Sequence, residues 1–252
     1  MKKTNGSVRA GIVVGLIAAL LIGATVLLIN KGNEKNDRFE SYAFTIMEPT
    51  DINGHIADHV KGEKDAPTVI FEYADFQCGY CALMNPYVDK MVEESDGKLA
   101  VVYRNYLLSY HQNGTAAASA AEAAGLQGYW KPYASKLFEE QEEWADASVN
   151  ERTALFDKYF LAVTENQGDV DKFNRDLASS DISQKITFDM KLGKFLNLPG
   201  TPSFYIDNQF IDWGNSEGGS IVINDETIDW DHKLSIDEFG SLVKRIIKAK
   251  TK

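Results

Sequence analysis

The chain carries two cysteines among its 252 residues, and both stand in one short stretch, VIFEYADFQCGYCALMNPYVDK, residues 69–90. Cys78 and Cys81 are separated by two residues, a spacing open to three chemistries: a metal clip, a structural disulfide, or a pair oxidised and reduced in turn. A structural zinc site takes four ligands. The run HIADH offers His55 and His59 at helical i, i+4 spacing, which completes a nominal Cys2His2 set. These histidines precede a strand whose far end carries the cysteines, whereas small zinc modules usually place the second ligand pair after the first. They read more simply as surface residues of a connecting segment. A disulfide across so short a loop removes little entropy from the unfolded chain, and a domain of this length buries enough core without one.

The redox reading comes with a mechanism. APTVIFEYAD (66–75) is a β-rich apolar run, expected to form a buried central strand ending near Tyr73. A helix is expected from about Gly79 to Glu94, with Pro86 inside it as a source of a kink. Cys78 then falls where a helix begins. Unpaired backbone N–H groups and the positive end of the helix dipole face a thiol at that place, so they favour thiolate and raise reactivity. Cys81, one turn further in, is less exposed but within reach to resolve a mixed disulfide. KLAVVYRNY (98–106) reads as a second strand parallel to the first, closing a right-handed βαβ unit.

Helical spacing dominates the middle of the chain, in TAAASAAEAAGLQ, YWKPYASKLFEEQEEW, ERTALFDKYFLAV, DVDKFNRDL and DISQKITFDMKLGKFLN. Tyr129, Trp130 and Trp144 in this block are expected to pack between helices. LPGTPSFYIDNQFID (198–212) reads as two short strands with a turn at DNQ, and HKLSIDEFGSLVKRIIKAK (232–250) as an amphipathic helix with Ser235 as N-cap and Glu238 three residues on. Between them, Asp212, Asn215, Glu217, Asp225 and Asp231 suggest calcium only weakly, because no D-x-D-x-D-G loop is present; a solvated loop is expected over 212–231. The order is therefore βαβ, a block of helices at about 112–197, then ββα.

Strand, turn, C-x-x-C and helix inside a βαβ unit is the thioredoxin-like pattern. With DHVKGEKDAPTVI ahead of FEYADFQCGYC, the stretch resembles the membrane-associated DsbA-type thiol–disulfide oxidoreductases, and the resemblance covers roughly residues 55 to 250. It implies that Pro86 is the proline of the active-site helix and that the helical block is the DsbA-type insertion. GTPSFYI resembles the loop whose proline is cis and faces the cysteine pair, which implies a cis Thr201–Pro202 bond. Pro202 would keep metal from the pair, and the Thr201 backbone would pair with a substrate strand. Glu72 would be the buried acid that moves the proton of Cys81, since burial lifts a carboxyl pKa toward neutrality; the bland alternative is a sheet-edge carboxylate open to water. Asp75 is read as a turn residue. Gly79 and Tyr80 are expected to meet substrate. CGYC lacks the histidine of strongly oxidising DsbA-type enzymes and is reminiscent of DsbC-type isomerases, which leaves the direction of electron flow open.

A formal net charge of -11 argues against nucleic acid and anionic lipid surfaces as partners. Residues 1–10 are polar and basic, and 11–29 carry no charge, long enough for a membrane-spanning helix; a cleaved signal peptide is the alternative. Lys2, Lys3 and Arg9 favour a cytoplasmic N-terminus, although Lys31, Lys35 and Arg38 follow. Disulfide traffic belongs in an oxidising compartment, which decides for the N-terminus inside. The expectation is an α/β thioredoxin-like domain at 55–252 with an inserted helical block, a juxtamembrane linker at 30–54 and one transmembrane helix before it. Its expected work is to introduce disulfides into secreted or envelope proteins from the outer face of the cell membrane. A membrane redox partner would reset it, and no cofactor or metal is expected beyond the Cys78–Cys81 disulfide. The alternatives are a reductase or isomerase of the same fold, or a non-catalytic anchored module that binds zinc.

Overall fold

The structure, a computed structural model, describes residues 38–252. The expected membrane segment at 11–29 lies outside the described residues, and none of the described helices is long and apolar enough to cross a membrane. Two units are distinguished, residues 1–43 and Phe44–Lys252. In the first, residues 38–43 are helical. The second holds the fold and starts ahead of residue 55. Met47 and Asn53 are buried, and the Met47 N–H donates to Asp58 Oδ2 at 3.0 Å. The stretch 44–54, read from sequence as linker, therefore packs as part of the domain.

A five-stranded sheet runs in the order β1-β3-β2-β4-β5. Its strands are β1 (His59–Lys61), β2 (Thr68–Ala74), β3 (Leu99–Asn105), β4 (Ser203–Ile206) and β5 (Gln209–Phe210). β2 lies parallel to β3 from Thr68↔Leu99 to Ala74↔Asn105, as the βαβ reading requires, and antiparallel to β4, with Glu72 opposite Phe204. All of β2 but Val69 is buried, so both faces of the sheet need cover. One face takes α1 (Gly79–Glu93) and the C-terminal helix α8 (Ile236–Lys250), around Ile70, Met84, Val88, Phe204, Leu242 and Ile246. Pro86 lies inside α1, which continues from Gly79 to Glu93. Ser235 and Glu238 form the expected capping box of α8.

The other face takes the helical block: α2 (Gly114–Gly125), α3 (Trp130–Glu139), α4 (Gln141–Trp144), α5 (Val149–Val163), α6 (Val170–Asp176) and α7 (Ser180–Phe195). Six alanines of α2, Ala117, Ala118, Ala120, Ala121, Ala123 and Ala124, are buried, and side chains this small let the helix approach its neighbours closely. Trp144 donates to Leu137 O at 2.8 Å. Tyr129 meets Phe160 edge-on at 6.2 Å.

Two further sequence expectations need correction. His59 is not a surface connector residue: it pairs in β1 with Tyr103, stacks on Trp130 at 4.2 Å and bonds the buried Glu122 through Nε2 at 2.7 Å. A three-residue edge strand is too short to show alternation. The solvated loop expected at 212–231 contains a hairpin, β6 (Gly219–Ile223) and β7 (Glu226–Trp230). Ile221, Ile223, Ile228 and Trp230 are buried on its inner side, and Asn224 and Asp225 take φ of 49° and 64° in the two-residue turn, as a type I′ hairpin demands. The acidic residues of this stretch masked that alternation.

Candidate active site

The segment between β2 and α1 is held by side chains that sequence reading undervalued. Asp75 opens the turn, as expected, and is buried as well. Its Oδ1 accepts the Gln77 N–H at 2.9 Å, its Oδ2 accepts the Leu108 N–H at 2.8 Å, and Oδ2 also bonds His111 Nδ1 at 2.8 Å. Its backbone carbonyl accepts the Cys78 N–H at 3.0 Å. From the helical block, the Gln141 amide donates to Phe76 O at 2.6 Å and Cys78 O at 3.2 Å. The Gln77 amide donates to Ala145 O at 2.8 Å, while its Oε1 accepts the Asn113 N–H at 2.7 Å. The inserted helical block thus fixes the backbone on which Cys78 stands, the kind of support a reactive group needs.

Cys78 is the N-cap of α1, with φ -78° and ψ 119°. Its thiol Sγ donates to Thr201 O at 3.4 Å. The Cys81 thiol, hydrogen-bonded to it, is the largest cause that lowers the Cys78 pKa to about 6. Burial opposes this, and the Thr201 hydroxyl together with the backbone N–H groups of Cys81 and Tyr80 adds to the lowering. Those N–H groups are the unpaired donors of a helix start. Cys81 is 0% exposed against 6% for Cys78. Burial first, then the Cys78 hydrogen bond and charge, push the Cys81 thiol well above its ordinary value, and Glu72 pushes the same way. Each sulfur therefore makes the other what it is: one holds the charge, the other holds the proton.

Glu72 is buried on the central strand β2, so the sheet-edge alternative falls. Burial lifts its carboxyl from 4.5 to about 7, against the attraction of Lys61 and with a push from Asp89. Lys61, 2% exposed, donates to Asn85 Oδ1 at 2.6 Å and pairs with Asp89 Oδ1 at 3.0 Å, off the direction of a hydrogen bond. Asp89 is the partly open end of this set, at 30% exposed. Sequence reading passed over Lys61; a lysine inside a strand that pairs with a central strand was the available signal.

The Thr201–Pro202 peptide is cis, as the resemblance implied. Gly79 and Tyr80 are exposed on the first turn of α1, Tyr80 by 62%. No group of three or more His, Cys, Asp or Glu side chains that could hold a metal ion occurs among the described residues. His55 is instead exposed beside Asp51 at 3.5 Å, and the structure gives the Cys2His2 set no support. The arrangement has a sulfur nucleophile charged near neutral pH, a buried partner thiol and a carboxyl that titrates in the same range, which suits transfer of a disulfide bond.

Comparisons with known proteins agree on the architecture. BdbD from Bacillus subtilis in its oxidised form superposes with a TM-score of 0.57 at 18% identity, covering 82% of this chain and 98% of that one. A thioredoxin-like oxidoreductase from Silicibacter pomeroyi DSS-3 gives 0.54 at 20% identity, with 76% and 92% covered. The catalytic domain of Proteus mirabilis ScsC gives 0.57 at 14% identity, with 85% and 98% covered. Identity this low speaks for the fold alone. Among curated relatives, the Na(+)/H(+) antiporter NhaA 1 of Mycolicibacterium vanbaalenii is 28% identical over 204 residues, which is 79% of this chain. The Na(+)/H(+) antiporter NhaA of Herminiimonas arsenicoxydans is 26% identical over 200 residues. The chain spans about 30% of the length of these curated relatives. The family model described as Thioredoxin (Thioredoxin_4) matches residues 55–225, which takes in Glu72, both cysteines and the cis Thr201–Pro202 bond. With more than half of its length matched, the chain belongs to the thioredoxin family.

Proposed function

We propose that this protein is a thiol–disulfide oxidoreductase that works through the Cys78–Cys81 pair and passes its disulfide to protein thiols. The opposed pKa shifts of the two cysteines, one lowered to about 6 and the other raised well above its ordinary value, carry this reading. In the oxidised pair, a substrate thiolate attacks Cys78 Sγ. The Cys78–Cys81 bond breaks, a substrate–Cys78 disulfide forms, and Cys81 leaves with the electron pair and takes a proton, for which Glu72 is the nearby donor. A second substrate thiolate then attacks the substrate sulfur of the mixed disulfide and expels Cys78 as thiolate. The substrate loses two electrons; one of its protons ends on Cys81 and the other in water. Lys61 and Asp89 give Glu72 a charged route toward solvent for its own proton.

A stabilised Cys78 thiolate favours the reduced pair and so makes the oxidised pair the better oxidant. Oxidase is therefore preferred to reductase or isomerase. Substrates would be secreted or envelope proteins, met on the outer face of a membrane to which residues 11–29 anchor the domain, and a membrane redox partner would restore the disulfide. Trapping tests the roles: Cys81→Ser should accumulate mixed disulfides with substrates while Cys78→Ser does not, and the opposite pattern would reverse the assignment. Equilibration in glutathione buffers tests direction. A reduction potential at or below the roughly -270 mV of thioredoxin would leave a reductase.

A further inference from the structure

Two clefts meet at Tyr80, two residues after Cys78 on the first turn of α1. The larger, about 690 Å³, has Leu83, Phe138, Glu139 and Glu142 around it. The smaller, about 290 Å³, runs along Thr201 and Pro202 and is walled by Phe210 and Trp213, with Asp212 and Lys233 as opposed charges. The two differ in chemistry. Tyr80 and Leu83 leave 62% and 59% of their surface open, one helical turn apart on α1, so apolar surface stands bare beside the thiol. Across from it the charge is negative and poorly neutralised. Glu142 has no ion pair among the described residues. Glu139 reaches Lys136 at 3.9 Å, and that lysine is held more closely by Glu140 at 2.6 Å. The neighbouring cleft continues the field with Glu143, Asp146 and Glu151 against Lys158.

An open aromatic and aliphatic surface facing carboxylates suits a side chain with an apolar stem and a cationic head. Building on the exchange reading, we propose that the site selects protein thiols whose cysteine is flanked on one side by lysine or arginine, held between Tyr80, Leu83 and the carboxylates of Glu139 and Glu142, and on the other by an apolar residue seated against Phe210 and Trp213. The selection acts on the first step, attack of the substrate thiolate on Cys78 in the oxidised pair, by concentrating and orienting the basic segment in a negative cleft.

The test uses the oxidised full chain and short single-cysteine peptides with phenylalanine on one side and lysine, glutamine or glutamate on the other, in both orders. Each rate of mixed-disulfide formation is divided by the rate of the same peptide with neutral hydroxyethyl disulfide, which removes the effect of the neighbouring charge on the peptide's own thiol. In one order the lysine peptide should react about fivefold faster than the glutamine peptide, near the upper range of an exposed ion pair, and the glutamate peptide more slowly. The advantage should fade in high salt. Glu139→Gln with Glu142→Gln should level the series, and Glu139→Lys with Glu142→Lys should invert it. Equal normalised rates for lysine and glutamate peptides in the wild type overturn the selection while the exchange reading stands. No exchange with any peptide overturns both.

Discussion

Tyr73 and Glu72 are neighbours on one strand and point to opposite faces of the sheet, and they belong to two buried charged regions with opposite fates. On the Tyr73 side lies a network of fully buried ions. Arg104 Nη2 pairs with Asp58 Oδ2 at 2.7 Å, and Lys185 Nζ bridges Asp58 Oδ1 at 2.8 Å and Asp189 Oδ1 at 2.7 Å. Arg104 Nη1 donates to the Tyr73 hydroxyl at 3.0 Å. Burial pushes the Asp58 carboxyl up, but Lys185 and Arg104 outweigh it and hold Asp58 far below the usual carboxylate range. On the Glu72 side, Lys61 draws the other way and loses to burial, and no hydrogen bond holds the Glu72 carboxylate among the described residues. The same cost of burial thus has two outcomes. Where cations close on both oxygens, the carboxylate becomes a fixed structural ion; where the nearby cation is shared with Asp89 and Asn85, it becomes a group that titrates near pH 7.

This contrast is breakable from both sides. Lys185→Met leaves Asp58 and Asp189 short of a partner and should cost about 3–5 kcal/mol in urea unfolding, with the potential of the cysteine pair unchanged. A loss below about 1 kcal/mol would mean the network is not the clamp described. Glu72→Gln should act with the opposite sign. The folded carboxyl at about 7 lies above its ordinary 4.5, so the folded state binds the proton more tightly. Wild-type stability therefore falls as pH rises from about 4.5 through 7, and the penalty is complete above that. Glutamine should stabilise the fold by up to about 3 kcal/mol at pH 8 and by little at pH 4. Formation of the mixed disulfide at pH 7, the step in which Cys81 leaves and takes its proton, should meanwhile slow by about 100-fold; unchanged turnover between pH 6 and 8 would reduce Glu72 to a residue of the core. The smallest effect separates the two sulfurs. Alkylation of reduced protein should follow one titration with a midpoint near 6, belonging to Cys78, while Cys81 stays unreactive. A midpoint near 8.5, the ordinary thiol value, would remove the basis for a stabilised thiolate.

Much of this was legible before the fold was known, because it is local. A C-x-x-C directly after an apolar strand places one sulfur at a helix start whatever surrounds it, and Cys78 is the N-cap of α1. The capping box at Ser235 and Glu238 is likewise written in adjacent residues. β1 and the β6–β7 hairpin were missed because edge pairing and a half-buried face depend on what packs above them. Asp75 was legible as a turn residue, but its second role was not, because Leu108 and His111, which bind its carboxylate, are far away in the chain.

By itself, the sequence determined the βαβ unit, the helical block and the place of the two sulfurs, one at the start of α1 and one a turn further in, since strand and helix periodicity and the dipole of a helix start act over a few residues. Tertiary structure alone decided the rest. Which carboxylates became fixed ions and which stayed titratable depends on how many cations, brought from distant strands and helices, close around each oxygen at ion-pair distance. Which side chains grip the loop before Cys78 depends on the docking of Gln141 and Asn113 from the inserted helices. Charge compensation and burial are properties of three-dimensional neighbourhoods, and Lys61, Lys185 and Arg104 acquire their roles only when the sheet and its helices bring them to the groups they neutralise.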